Sequence, residues 1–82
     1  MFHKLLKIDP IDNMILLTEF IDGTKKTYDI KPLVSKYKVF ETLKSESIFK
    51  TAYIDVGGYG VVWNEDLDLS SEEIWENGIT EV

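Results

Sequence analysis

Carboxylates are the most numerous side chains that could do chemistry in the last third of this sequence. Between Glu65 and Glu76 the chain carries six of them, and clustered carboxylates are the ligands that Ca²⁺ prefers. An EF-hand calcium loop beginning at Asp66 would require glycine and glutamate where this chain has Ser71 and Asn77. The spacing therefore predicts no specific metal site; the alternative is a weak, non-specific cation site.

Groups for nucleophilic catalysis are sparse. The chain has no cysteine and a single histidine, His3, so a serine or threonine nucleophile has almost no base to activate it. The glycine-rich stretch Gly57–Gly60 lies between two predicted strands, whereas phosphate-binding loops join a strand to a helix. We expect no enzyme, no catalytic residue and no cofactor; the remaining enzymatic alternative is a pair of carboxylates acting as acid and base.

Aromatic residues accompany the acids in the second half of the chain. Most should build the core, because a chain of 82 residues needs large side chains for one. Exposed aromatics beside acidic side chains also anchor protein interfaces. The candidate partner-binding residues are therefore the following aromatic and acidic side chains: Tyr53, Trp63, Glu65, Asp66, Trp75 and Glu76.

The charge is unevenly distributed. Residues 1–41 carry seven lysines against six acids, whereas residues 42–82 carry two lysines against nine acids. The pI near 4.6 and the lack of arginine disfavour direct binding of nucleic acid, and we expect a protein partner that is more basic than this chain. The longest apolar run, Met14 to Leu17, is too short for a membrane helix, and the basic start is soon interrupted by Asp9 and Pro10, unlike a signal peptide. Together with the missing cysteines, this predicts a cytoplasmic protein.

The first half of the chain is typical of strands followed by a helix. His3 to Asp9 and Met14 to Phe20 are predicted strands around a turn at Pro10 to Asn13. Asp22-Gly23 predicts a hairpin turn into a third strand, Lys25 to Ile30, with Tyr28 and Ile30 facing inward. From Pro32 onward the apolar spacing predicts a short helix or two consecutive turns, interrupted near Lys38.

The second half predicts another hairpin and a terminal helix. Thr51 to Val56 alternates as a half-buried strand, with Ala52, Ile54 and Val56 inward and Tyr53 outward; Gly57–Gly60 turns the chain, and Val61 to Trp63 returns. Ser70 and Glu73 have the spacing of a capping box for a helix over Ser71 to Asn77. Leu69 and Ile74 can form a hydrophobic staple, the acids of the first turn oppose the helix dipole, and Gly78 predicts a left-handed end.

These elements predict an α+β fold. It consists of a small antiparallel sheet of about five strands built from two hairpins, a short middle helix and a short capped C-terminal helix. The length favours a single domain over residues 1–82. A sheet this small exposes edges that a homodimer could cover.

Three segments carry a resemblance to a known family. They are the stretch from Phe20 to Leu33, the pair Phe40-x-x-Leu43 with Phe49, and Val62-Trp63-Asn64-x-x-Leu67-Asp68-Leu69-Ser70. Over roughly Phe2 to Gly78 the chain resembles the domain-of-unknown-function 2442 family of small bacterial proteins. After the tryptophan the family tends to carry proline or asparagine, and this chain has Asn64; Trp75 is a mild departure, since the family often has tyrosine near the end. The resemblance implies a compact α+β domain and carries over no catalytic residue.

Two functional hypotheses follow. The leading one is a non-catalytic protein-interaction module, in the manner of an antitoxin that binds the product of a neighbouring gene, since some members of the family resemble partners in toxin and antitoxin pairs. The alternative is an accessory subunit of a nucleic-acid-associated or transcription-regulatory complex, since other members resemble fusions to a helix-turn-helix segment.

Overall fold

A computed structural model describes residues 3–81. The predicted domain over residues 1–82 also includes Met1, Phe2 and Val82, and the resemblance includes Phe2; these three residues lie outside the described part of the chain. The fold is α+β, as predicted, but the seven strands found among the described residues form two antiparallel sheets. One sheet has the strand order β1-β2-β3-β7 and the other has β4-β5-β6. The strands are β1 (Leu5–Ile11), β2 (Ile15–Phe20), β3 (Lys25–Asp29), β4 (Tyr53–Ile54), β5 (Gly60–Asn64), β6 (Leu67–Ser70) and β7 (Ile79–Thr80).

The first hairpin is longer than predicted. β1 continues through Pro10 to Ile11, and the turn is a 3-10 segment over Asp12–Met14. Because β1 lies at the edge of its sheet, Pro10 can be accommodated although it has no N–H to donate. The next turn has Gly23 at φ 92, as the Asp22-Gly23 pair predicted, because this backbone conformation is strained for residues with a Cβ atom.

The middle of the chain is helical in three short pieces: α1 (Lys31–Lys36), a 3-10 helix (Lys38–Lys44) and α2 (Glu46–Phe49). The predicted interruption near Lys38 is confirmed, since Tyr37 has an extended backbone at φ −124 and ψ 120. The piece α2 was not predicted.

The second hairpin differs from its prediction at the turn. β4 contains only two residues, and Val56, expected inside, is fully exposed in the turn that follows Asp55. Gly60 belongs to β5, and its carbonyl oxygen accepts a hydrogen bond from the Asp55 N–H at 3.0 Å. β6 was not predicted at all; Asp68 is the outward residue of this strand, between the buried Leu67 and Leu69.

Both sheets and the helices contribute to one hydrophobic cluster. Its completely buried members are Leu16, Ile30, Leu43, Val61 and Ile74. Tyr28 and Ile30 point inward as predicted. Within the described residues, no helix is long and apolar enough to cross a membrane.

The C-terminal helix α3 (Ser71–Asn77) begins as predicted, with the Ser70 hydroxyl accepting a hydrogen bond from the Glu73 N–H at 3.1 Å. The prediction that the Glu73 carboxylate accepts a hydrogen bond from the Ser70 N–H, the second bond of a capping box, is wrong. This carboxylate accepts a hydrogen bond from the Tyr28 hydroxyl at 2.8 Å instead. The left-handed end at Gly78 is also wrong: this residue is extended, at φ −75 and ψ 158, and leads into β7. Glycine is required there because a Cβ atom would lie 2.5 Å from the Ile74 carbonyl oxygen.

Candidate protein-interaction surface

The second sheet places Tyr53 on its outer face. Tyr53 pairs with Val62, which pairs in turn with Asp68, so these three side chains form one cross-strand row. The neighbouring row, Ile54 with Val61 and Leu69, faces the core. Tyr53 is consequently 55% exposed, and its ring is available to a binding partner.

A tight turn places two carboxylates at the end of this sheet. Glu65 and Asp66 connect β5 to β6, and the Asn64 side-chain oxygen accepts a hydrogen bond from the Asp66 N–H at 2.9 Å. This hydrogen bond closes an Asx-turn, in which an asparagine side chain bonds to the backbone two residues further along the chain. Both carboxylates are exposed, as is Asp68 on the adjoining strand.

These three carboxylates form no ion pair within 4.0 Å among the described residues. Over residues 3–81, the ion pairs involve other acids, at Asp12, Asp29, Glu41, Glu46 and Glu72. Residues 51–82 contain no lysine or arginine that could neutralise the turn. We call the surface formed by Tyr53, Val62, Asp68, Glu65 and Asp66 the acidic face.

Trp63 does not belong to this face. Its side chain is only 7% exposed, stacks on Phe49 with ring centres 6.2 Å apart, and donates its indole N–H to the Phe49 carbonyl at 3.0 Å. The prediction of Trp63 as a partner-binding residue is therefore corrected: its ring is a core residue whose polar atom is satisfied internally.

Trp75 lies in a second cluster, formed with His3. The imidazole and indole rings stack with centres 3.6 Å apart and planes 9° apart, and the Phe20 ring meets Trp75 edge-on at 5.0 Å. The Lys26 ammonium lies 5.0 Å from the centre of the indole. Trp75 is half-buried, so much of the ring surface expected to meet a partner is covered within the chain.

Glu72 holds His3 in this cluster. Its carboxylate accepts hydrogen bonds from the His3 backbone N–H and from the imidazole Nδ1 at 2.9 Å. These bonds, the backbone one first, lower the pKa of Glu72 below its ordinary value of 4.5. From the sequence, Glu72 was expected to oppose the helix dipole and His3 to begin the first strand. No local signal joins two residues from opposite ends of the chain.

The remaining predicted residue, Glu76, is exposed on α3. The six predicted residues therefore do not form one patch: Tyr53, Glu65 and Asp66 share the second sheet, Trp75 and Glu76 lie on α3, and Trp63 is internal. Among the described residues, no group of three or more histidine or acidic side chains is arranged to hold a metal ion.

Comparison with known proteins gives one match. The model of a family described as protein of unknown function (DUF2442) matches residues 5–80, which is nearly the whole chain. No curated protein and no solved structure matches the chain.

Proposed function

The chain belongs to the DUF2442 family of proteins of unknown function, and from the geometry of its second sheet we propose that it is a non-catalytic protein-interaction module. Its binding site is the acidic face, and its partner is a protein with a basic, partly apolar surface. The observation that carries this proposal is an exposed tyrosine beside three exposed carboxylates that form no ion pair within 4.0 Å in the part of the chain described here.

The chemistry of the acidic face indicates how the partner is recognised. Unneutralised carboxylates accelerate the encounter with a basic protein and disfavour acidic competitors. Tyr53 supplies a rigid apolar ring with a polar end, and tyrosine is enriched among the residues that dominate binding energy. Lysine or arginine side chains of the partner would pair with Glu65, Asp66 and Asp68 around that ring.

A finer version of the proposal concerns the identity of the partner. An acidic protein that binds and neutralises a small basic protein encoded beside it acts as an antitoxin does. The excess of acids in residues 51–82 supports this version. Co-expression of the chain with each adjacent gene product, followed by size-exclusion chromatography, tests it: a stoichiometric complex supports it, and separate elution of every product contradicts it.

Matched variants test the acidic face itself. The double variant Glu65→Gln with Asp66→Asn removes two charges from the turn and keeps the Asn64 hydrogen bond to the backbone. The control variant, Glu41→Gln with Glu46→Gln, removes two charges from the helical middle of the chain. We expect the first variant to lose the captured partner in affinity purification from the native host, and the control to retain it. Equal retention by both variants would contradict the proposal.

A further inference from the structure

The outer face of the four-stranded sheet carries a row of alternating charges. Lys7 pairs with Glu19 across β1 and β2, and Glu19 pairs with Lys25 across β2 and β3. The Glu81 N–H donates to the Lys25 carbonyl at 2.9 Å, which places Glu81 next in the row. The order of charges across the sheet is therefore plus, minus, plus, minus.

This order produces no close ion pair within the described residues. In the described structure, none of these four side chains makes an ion pair within 4.0 Å, although neighbours in the row have opposite signs. The one hydrogen bond to a side chain of the row comes from the Thr27 hydroxyl, which donates to Glu81 at 3.4 Å. Their charged ends are free to meet another molecule.

The four charges of the row, together with the exposed carboxylate of Asp9, line one open groove of about 690 Å³. Its apolar lining includes Leu6 and Tyr53, which are 54% and 55% exposed, and the half-buried Leu17. An apolar lining among charges of both signs is unlike the acidic face, whose charges are all negative. The groove therefore suits an occupant that itself carries both signs.

A second copy of the chain meets this requirement through symmetry. A two-fold axis parallel to the strands, passing between Glu19 and Lys25, reverses the order of the row on the partner. Lys7 then faces Glu81 of the other copy, and Glu19 faces Lys25 of the other copy, so all four contacts join opposite charges. A two-fold axis along the row would instead bring like charges together.

We infer that the outer face of the four-stranded sheet is a homodimer interface, in which two copies pack with this row antiparallel to itself. Such a contact is isologous, as in most symmetric dimers. Sheets that pack face to face with nearly aligned strands lie about 10 Å apart, a distance that facing lysine and glutamate side chains can bridge. The interface is distinct from the turn Glu65–Asp66, so dimerisation and partner binding can fail separately; Tyr53 lies where the two surfaces meet.

The test uses charge reversal and sedimentation equilibrium in dilute and concentrated solutions. Lys25→Glu brings like charges together at two of the four contacts of the homodimer, and Glu19→Lys does the same with the opposite sign. We expect each variant alone to dimerise at least about tenfold more weakly than the original chain. When the two variants are mixed, all four contacts join opposite charges again, and a heterodimer should form. Lys38→Glu, an exposed reversal in the 3-10 helix, should leave dimerisation unchanged.

The double variant Glu19→Lys with Lys25→Glu distinguishes charge contacts between the two copies from charge contacts within the row of one copy. It places like charges next to each other within the row, but across the two-fold axis every contact again joins opposite charges. We expect it to dimerise as the original chain does. The inference is overturned if the original chain remains monomeric at millimolar concentration, or if mixing the two single variants produces no heterodimer while circular dichroism shows both to be folded.

Discussion

The imidazole of His3 lies flat against the indole of Trp75, with ring centres 3.6 Å apart. The same imidazole is hydrogen-bonded to Glu72, one turn earlier on α3. His3, which precedes β1, is thereby attached to the C-terminal helix. Stability of this end of the fold depends on contacts between the two extremes of the sequence.

His3→Ala should lower the free energy of unfolding by about 1–2 kcal/mol, because it removes a stacked ring pair and a hydrogen bond to a carboxylate. Urea denaturation followed by tryptophan fluorescence measures this change. Lys38→Ala, at an exposed site without such contacts, is the control and should change stability by less than about 0.5 kcal/mol. Equal effects of the two substitutions would contradict a stabilising role for His3.

Acid should weaken the fold through Glu72. Its pKa is lowered in the folded protein by the His3 backbone N–H and then by the imidazole, so its stabilisation is present above its ordinary value of 4.5 and is lost as the pH falls through the folded value. Glu72→Gln should therefore reduce the loss of stability between about pH 5 and pH 3. Thermal unfolding across this range measures it, with Glu76→Gln as the matched control. A pH profile left unchanged by Glu72→Gln would refute the assignment.

Trp63 should behave as a core residue and not as a binding residue. Trp63→Phe keeps an aromatic ring but shortens a buried side chain and removes the shorter of the two hydrogen bonds to the Phe49 carbonyl, whose other donor is the Ala52 N–H at 3.4 Å. We therefore expect a loss of about 1–3 kcal/mol in the free energy of unfolding. Chemical denaturation measures this loss. At a temperature where the variant is folded, capture of the partner should be unchanged; a folded variant that no longer binds would place Trp63 in the interface after all.

Two explanations for the glycine at position 78 can be tested: a left-handed helix cap, or a lack of space for a Cβ atom. If it were a left-handed cap, asparagine would be the best tolerated replacement. Because its backbone is extended and a Cβ atom would approach the Ile74 carbonyl oxygen, Gly78→Asn and Gly78→Ala should be similarly destabilising, each by more than about 1 kcal/mol. Melting temperatures of both variants decide between the two; a clearly milder effect of asparagine would favour the cap.

Much of the secondary structure could be predicted, and the errors have a common origin. Asp22-Gly23, the interruption near Lys38 and the helix start at Ser70 were predictable because each depends on residues within a few positions. β6 and β7 were not, because two to four residues form a strand only where another strand offers hydrogen-bonding partners. Val56 continued the alternating pattern of its segment but lies outside β4. Only Tyr53 and Ile54 find strand partners on β5, so the strand ends before Val56.

The candidate site divides in the same way. The sequence alone determined that residues 51–82 are acidic, that Tyr53 faces away from the core side of its strand, and that the chain has almost no groups for nucleophilic catalysis. Only the tertiary structure decided that Trp63 is internal, that Glu72 pairs with His3 and Glu73 with Tyr28, and that Lys7, Glu19, Lys25 and Glu81 form one row. The physical reason is that alternation and helix capping act within one segment, whereas the partner of a side chain depends on the register between segments that are distant in the sequence.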